Sequence, residues 1–171
     1  VGKPPKPVVK AGDEVKKHQL IAEADGFVSA NLHAPTSGKV IGIVDVQGAM
    51  GMPVPAIQIE ADGKDEAAEP MPALDWRCAP VSDLLKRITD CGVVGMGGAA
   101  FPAHVKLSPP KDKKIDFLLV NGAECEPYIT SDYRRMMEEP ESIVGGLEVI
   151  LKAFPKAVGC IGIEDNKPAA I

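Results

Sequence analysis

The sequence has little of several features that mark particular classes of protein. Aromatic residues make up only 4% of its 171 residues, and the formal net charge is -5, so there is no basic footprint for nucleic acid. No apolar run approaches the roughly 18 residues that a membrane helix needs. The first residues also lack the basic and then apolar start of a secretory signal. We therefore expect no nucleic-acid partner and no direct membrane span.

The cysteines lack the spacing of a metal or disulfide site. Cys78, Cys91, Cys125 and Cys160 lie far apart, with no CxxC pair among them. Iron–sulfur clusters use closely spaced cysteine runs, and free cysteines in proteins are commonly buried packing residues. We predict reduced cysteines and no metal site.

Residues 1–62 are predicted to form a small all-β domain. Short β-like runs at 8–10, 19–22, 26–29, 38–44 and 56–59 alternate with glycine and proline turns, as in a small barrel or sandwich. The charged, proline-rich stretch 61–73 marks a boundary, and residues 63–80 are assigned to a linker. The chain begins at Val1 and ends beside a plausible helix start, so we expect a piece of a longer protein.

Residues 81–171 are predicted to form an α/β domain. Ser82 is placed to cap a helix that ends at Gly92, and apolar runs at 115–120 and 157–163 are typical of buried strands. Helical patterns at 133–138 and 141–154 separate the two strands. A strand–helix–strand order over about fifty residues favours a parallel βαβ unit.

Residues 95–107 form a glycine-rich segment that includes a lysine near its end. Gly95, Gly97 and Gly98 permit positive φ and close approach of a ligand to the backbone, and Lys106 is chemically suited to a phosphate. The segment satisfies the loose dinucleotide fingerprint, but a helix precedes it and Pro102 interrupts any helix after it, which excludes an ordinary Rossmann loop. Taken alone, the glycines more often indicate a structural loop.

A second polar segment directly follows the first strand of the α/β domain. Asn121, Glu124 and Glu126 lie at the carboxyl end of that strand, which is where α/β sheets bind ligands. Their amide and carboxylate groups suit a flavin edge or the hydroxyls of a ribose. A capped surface turn with solvated acids is the alternative, and by itself it is slightly favoured.

The sequence from about residue 89 onward resembles the RnfC subunit of Rnf-type ferredoxin:NAD oxidoreductase complexes. The likeness is carried by residues 92–107, 118–130 and 163–168, together with Asp132 and Arg134. These segments are more distantly similar to the NADH-oxidising flavin subunit of respiratory complex I. The resemblance implies a partial Rossmann-like domain, truncated at its C-terminal end, that binds FMN and NAD(H). It implies an FMN and NADH site formed by Gly95, Gly97, Gly98, Ala99, Phe101, Lys106, Asn121, Glu124 and Glu126.

The same resemblance implies individual roles for these residues. Lys106 would lie on the phosphate side of FMN, Asn121 at the flavin, and Phe101 on the adenine of NADH. Glu126 would lie near the nicotinamide and the flavin, and it is our candidate catalytic residue. An aspartate found in the complex I relatives is replaced here by Ala123.

The first 62 residues resemble the leading domain of the same subunit, a barrel-sandwich hybrid like the biotinyl and lipoyl carriers. Residues 9–21 and 33–40 carry this likeness. A working carrier displays a modifiable lysine at a hairpin tip, whereas residues 24–29 contain none. We predict no biotin or lipoate, and a structural or docking role instead.

The resemblance implies the NADH/FMN module of a membrane-associated electron-transport complex, peripheral on the cytoplasmic side and bound to other subunits. NAD(H) and FMN would exchange a hydride, and single electrons would then pass to 4Fe-4S clusters expected only in a missing C-terminal region. The isolated fragment is expected to be inactive. Two alternatives stay open: a non-catalytic docking or assembly module, and a soluble flavin-dependent reductase.

Overall fold

The computed structural model describes residues 2–48, 51–96, 98–110 and 112–171. Its contacts divide the chain into two compact units. The first unit comprises Val1–Leu74 and Ser82–Ser108, and the second comprises Asp75–Val81 and Pro109–Ile171. This grouping places the glycine-rich segment with the β strands, and the predicted domain limits at residues 62 and 80 stay a prediction.

The described residues of the first unit include six short or medium-length strands arranged in two antiparallel sheets. The strands are β1 (Lys6–Pro7), β2 (Glu14–Val15), β3 (Leu20–Glu23), β4 (Leu32–His33), β5 (Gly38–Gln47) and β6 (Pro53–Ala61). One sheet has the order β1-β3-β4 and the other the order β2-β5-β6. Val15, Ile21, Ala34 and Val40 form the buried core between them. The predicted small all-β region is confirmed.

The predicted strand at residues 26–29 is wrong, because this stretch is a turn. Gly26 has a φ of 110°, a left-handed conformation that glycine adopts without steric cost. The Asp25 amide donates to Ser29 Oγ at 3.0 Å, which closes the turn. The predicted strand at 8–10 is also shifted, since β1 ends at Pro7 and only the Val8 amide continues the ladder, to the Ile21 carbonyl.

Two helices of the first unit flank the glycine-rich segment. Helix α1 (Val81–Asp90) begins one residue before Ser82, so Ser82 lies in its first turn and not at the predicted cap position. Helix α2 (Ala103–Lys106) is a single turn. Gly92, at a φ of 64°, ends α1 as predicted: its amide donates to the Thr89 carbonyl, and the Val93 amide donates to the Ile88 carbonyl.

The second unit is built on a parallel pair of strands. Strands β7 (Phe117–Asn121) and β8 (Val158–Gly162) pair in parallel from Phe117 opposite Val158 to Asn121 opposite Gly162. Helices α3 (Ser131–Glu138) and α4 (Pro140–Leu151) connect them. The parallel strand–helix–strand arrangement is confirmed, although α4 ends three residues before Phe154. Two strands establish an α/β arrangement and not a complete Rossmann-like sheet.

None of the helices in the described part of the chain combines the length and the apolar character needed to cross a bilayer.

Candidate functional site

Backbone hydrogen bonds close the glycine-rich segment into a tight loop. The Gly95 amide donates to the Phe101 carbonyl at 2.9 Å, and the Ala103 amide donates to the Val93 carbonyl at 2.9 Å. The fully buried Pro102 lies between these bonds and pairs with Val94. Residue 96 and residues 98–100 are exposed above this closed base. We call residues 93–96 and 98–103 the glycine loop.

The residues of the loop that adopt a positive φ are not the same set of glycines that the sequence suggested. Gly98 has a φ of 91° and Ala100 a φ of 48°, whereas Gly95 is not in the left-handed region. Gly97, which the resemblance includes in the cofactor site, lies outside the described residues. Ala99 is exposed and Phe101 is half-buried at the base of the loop.

Lys106 lies directly against the start of the glycine loop. The single turn of α2 carries its side chain back to Gly95, where an added Cβ would lie 2.7 Å from Lys106 Nζ. Lys106 is exposed. None of the ion pairs between described residues involves its ammonium group. The arrangement places a cation beside a backbone position that carries no side chain, and such a cation suits a phosphate.

Asn121 ends strand β7 and begins the second polar segment, in the second unit. Its side-chain oxygen accepts a hydrogen bond from the Ala123 amide at 3.1 Å, and the residue is exposed. Gly122 is buried beneath it: an added Cβ would lie 2.9 Å from the Gly162 carbonyl oxygen and 3.1 Å from Met136 Sδ. This close packing holds the segment at the carboxyl end of β7.

Glu124 caps the start of helix α3. Its carboxylate accepts hydrogen bonds from the Asp132 amide at 2.8 Å, the Tyr133 amide at 3.3 Å and the Ser131 hydroxyl at 3.3 Å. The side chain is 5% exposed, and Lys167 Nζ lies 3.9 Å from it. Desolvation raises the pKa of Glu124, but the hydrogen bonds and Lys167 outweigh it, so the pKa is lowered from the ordinary 4.5.

Lys167 makes contacts that the sequence analysis did not predict. Besides facing Glu124, its ammonium lies 3.2 Å from Glu164 and 5.5 Å from the centre of the Tyr133 ring. It falls within residues 163–168, one of the segments that carried the family resemblance. That resemblance was the available signal, although it did not reveal which groups Lys167 contacts.

Glu126, the candidate catalytic residue, is exposed in the same segment, and its backbone carbonyl accepts from the Ile129 amide. The structure thus forms two groups of predicted residues. Gly95, Gly98, Ala99, Phe101 and Lys106 belong to the first unit, and Asn121, Glu124 and Glu126 belong to the second. Among the residues the structure describes, no group of three or more His, Cys, Asp or Glu is placed to hold a metal ion.

Two family models match the sequence, one in its N-terminal part and one in its C-terminal part. Residues 88–171 match the Nuo51 FMN-binding domain, and residues 1–64 match the RnfC barrel sandwich hybrid domain. The first match contains the glycine loop, Lys106 and the whole segment from Asn121 to Glu126.

Individual relatives extend the similarity over the whole chain. The sequence is 52% identical over 172 residues to the C subunit of the proton-translocating ferredoxin:NAD(+) oxidoreductase complex of Clostridium ljungdahlii. It is 43% identical over 174 residues to the C subunit of the Na(+)-translocating ferredoxin:NAD(+) oxidoreductase complex of Acetobacterium woodii. It is 44% identical over 173 residues to the C subunit of the ion-translocating oxidoreductase complex of Pseudomonas aeruginosa.

All three alignments cover 100% of this chain but much less of the relative. The chain spans 38% of the Clostridium protein, 39% of the Acetobacterium protein and 22% of the Pseudomonas protein. The similarity therefore concerns the β region and the FMN-domain segment present here.

Proposed function

The chain belongs to the RnfC subunit family of Rnf-type oxidoreductase complexes, and on this premise we propose that it supplies the NADH- and FMN-binding part of such a complex. The names of the relatives describe ion-translocating oxidoreductase complexes, and the complex proposed here would be a membrane-associated electron-transport assembly. This chain would be a peripheral part on the cytoplasmic side, with the other subunits as its partners.

The juxtaposition of Lys106 and Gly95 is the observation that carries this proposal. A phosphate needs a cation and backbone that it can approach without meeting side chains. The Lys106 ammonium lies 2.7 Å from the position that a Cβ on Gly95 would take, and Gly98 is exposed. These groups fit the phosphate end of FMN, so Lys106 and the glycine loop would hold it.

The second polar segment would orient the rest of the cofactor. Asn121 is exposed at the carboxyl end of β7 and would contact the flavin, while Glu126 would lie near the nicotinamide. Phe101 would pack on the adenine of NADH. Glu124 was predicted to bind the cofactor too, but its carboxylate already accepts three hydrogen bonds. We therefore propose that Glu124 acts by fixing the segment that carries Asn121 and Glu126.

When bound, FMN supplies hydride exchange with NAD(H) and onward one-electron transfer to iron–sulfur clusters, which are proposed to lie in other parts of the family's longer polypeptide. The residues of this chain bind and orient the reactants. Such positioning is what hydride exchange requires from a protein. No residue here needs to act as a strong acid or base.

Flavin binding by the full-length polypeptide tests the proposal. We expect Lys106→Ala to weaken FMN binding about tenfold or more, because charge-assisted hydrogen bonds contribute about 1.5–3 kcal/mol. Lys10→Ala is the matched control, since Lys10 is an exposed lysine far along the chain from the loop. Flavin fluorescence measures the affinity.

Asn121→Ala tests the second group of predicted residues in the same preparation. It should reduce both FMN content and NADH oxidation. Unchanged flavin content and NADH oxidation in both Lys106→Ala and Asn121→Ala would refute the site. A full-length wild type that takes up no flavin would favour the docking or assembly role instead.

A further inference from the structure

The loop formed by residues 24–31 is held rigidly by its own side chains. Ser29 Oγ donates to the Lys3 carbonyl at 2.8 Å and accepts from the Asp25 amide at 3.0 Å, and Ser29 is 2% exposed. The Asp25 carboxylate lies 2.5 Å from Lys3 Nζ and 3.1 Å from Lys6 Nζ. We call this stretch the 24–31 loop.

The 24–31 loop contacts the entry to the glycine loop through Asn31. The side-chain oxygen of Asn31 accepts from the Ala24 amide at 2.9 Å, within the loop, while its nitrogen donates to the Asp90 carbonyl at 3.2 Å, at the end of α1. Gly92 packs directly on the same residue, since an added Cβ would lie 2.3 Å from the Asn31 carbonyl oxygen. Asn31 therefore joins the 24–31 loop to the last turn of α1.

The same loop contacts the exit of the glycine loop through Phe27. His104 Nε2 donates to the Phe27 carbonyl oxygen at 3.0 Å. The two rings meet edge to face with their centres 6.0 Å apart, a favourable aromatic geometry. His104 lies on α2, two residues before Lys106. The contact therefore restrains the helical turn that carries the Lys106 ammonium.

We propose that the 24–31 loop is a positioning element for the glycine loop, with Asn31 fixing its entry and the Phe27–His104 contact fixing its exit. Asn31 and His104 are positioning residues that hold Lys106 at Gly95. This inference rests on the proposed function for its effect on FMN. The restraint on the loop itself exists without any cofactor.

Two variants of the full-length polypeptide test the element. Asn31→Asp keeps the oxygen that accepts from Ala24 but replaces the donor facing the Asp90 carbonyl with a second oxygen. His104→Phe keeps the ring contact with Phe27 but removes the hydrogen-bond donor. His104→Gln is the conservative control, because its amide nitrogen can still donate.

The main measurement is amide hydrogen exchange in the ligand-free protein. Both variants should exchange faster at residues 93–103, where the Gly95 and Ala103 amides report the loop, with no change in β7. FMN should bind about three- to tenfold more weakly in both, as expected for one lost hydrogen bond. His104→Gln should restore both readouts.

Unchanged exchange at residues 93–103 in both variants would overturn the positioning role, whatever the result with FMN. Exchange that rises without any loss of FMN affinity would also overturn it, because the loop would not govern the site. If the wild type binds no FMN, the proposed function fails, and the exchange result alone decides this inference. If Asn31→Asp also loses protection in β5 and β6, its effect is not confined to the loop. The comparison of His104→Phe with His104→Gln then decides whether the positioning role holds.

Discussion

Gly95 matters for the space above its backbone, and not for its backbone angles. Its φ lies outside the left-handed region that Gly92 and Gly98 occupy. The nearest atom to an added Cβ is Lys106 Nζ at 2.7 Å, followed by Lys106 Cε at 3.6 Å and the Phe101 carbonyl oxygen at 3.7 Å. The closest neighbour is thus the end of a flexible side chain. A methyl group at this position would displace the ammonium and leave the backbone in place.

Gly95→Ala is therefore expected to separate ligand binding from stability. We expect FMN to bind about tenfold more weakly, by displacement of a charge-assisted contact. The free energy of unfolding of the ligand-free protein should change by less than about 1 kcal/mol, since alanine fits the backbone conformation. Flavin titration and urea denaturation of the same full-length preparation measure the two effects.

Gly92→Ala is the matched control for this experiment. Gly92 has a φ of 64°, and an added Cβ would meet the Asn31 carbonyl oxygen at 2.3 Å. Left-handed strain in a non-glycine residue costs about 1–3 kcal/mol, so this variant should lose stability. Full retention of FMN affinity in Gly95→Ala would contradict the assignment of Lys106 to the phosphate.

At the level of elements, helix α3 depends on a residue that lies outside it. The Thr130 side chain makes no cap hydrogen bond, and Glu124 supplies the acceptor instead, to the Asp132 and Tyr133 amides. A carboxylate at this end also interacts favourably with the helix dipole. Lys167 Nζ lies 3.9 Å from the carboxylate and adds a positive charge there. The cap therefore joins the cofactor segment, α3 and the end of the chain.

This cap predicts a specific dependence of stability on pH. The pKa of Glu124 is lower in the folded protein than its ordinary 4.5, so the unfolded state binds a proton more readily. The contribution is therefore complete above the unfolded value and is lost as the pH falls through the folded value. Urea unfolding of wild type and Glu124→Gln should show a stability difference near neutral pH that shrinks below about pH 4.5.

Lys167→Met is the companion variant, because it removes the charge that helps to keep Glu124 ionised. It should make the loss of stability at acid pH smaller without abolishing it, since the backbone hydrogen bonds to Glu124 remain. A constant difference between wild type and Glu124→Gln from neutral to acid pH would show that the ionised carboxylate does not stabilise α3.

Local patterns predicted the elements of this chain better than its contacts. Gly92 as the end of α1 and the parallel strands β7 and β8 follow from signals within a few residues or from one apolar run. The turn at 26–29 was missed because Val28 and Phe27 favour a strand, and the bonds of Ser29 to Asp25 and Lys3 override that preference.

The sequence selects a set of candidate site residues, and this set stays a prediction; it does not predict how the residues are arranged. The glycines, Lys106 and Asn121 could be selected by their chemistry and by family resemblance. That Gly95 makes room for Lys106 depends on how Pro102 and α2 fold the chain back, which no spacing reveals. The engagement of Glu124 by α3 likewise depends on a contact across eight residues.

At the scale of the whole molecule, the two compact units differ in how well they bury apolar surface. The core of the first unit contains Val15, Ile21 and Val40, all at most 5% exposed. In the second unit Phe117 and Leu119 of β7 are 69% and 67% exposed. Local stability follows the amount of buried apolar contact. The second unit should therefore be the less stable of the two.

The single tryptophan provides a probe for this difference. Trp76 is the only tryptophan of the chain and belongs to the second unit. The Arg77 guanidinium lies 4.4 Å from the centre of its ring, and Lys152 of the same unit donates to its carbonyl at 2.6 Å. Its fluorescence therefore reports the unfolding of the second unit, while amide exchange in β5 and β6 reports the first.

We expect Trp76 fluorescence of this 171-residue chain to change at a lower urea concentration than the one at which β5 and β6 lose protection. Leu147→Ala, in α4 of the second unit, should lower the fluorescence midpoint and leave β5 and β6 unaffected, because core truncations of this kind cost about 2–5 kcal/mol locally. Val40→Ala, in β5 of the first unit, should reduce the protection of β5 and β6 and leave the fluorescence midpoint unaffected. Coincident transitions in the wild type and both variants would mean that the two units unfold as one cooperative body, because a shared free energy then sets both midpoints.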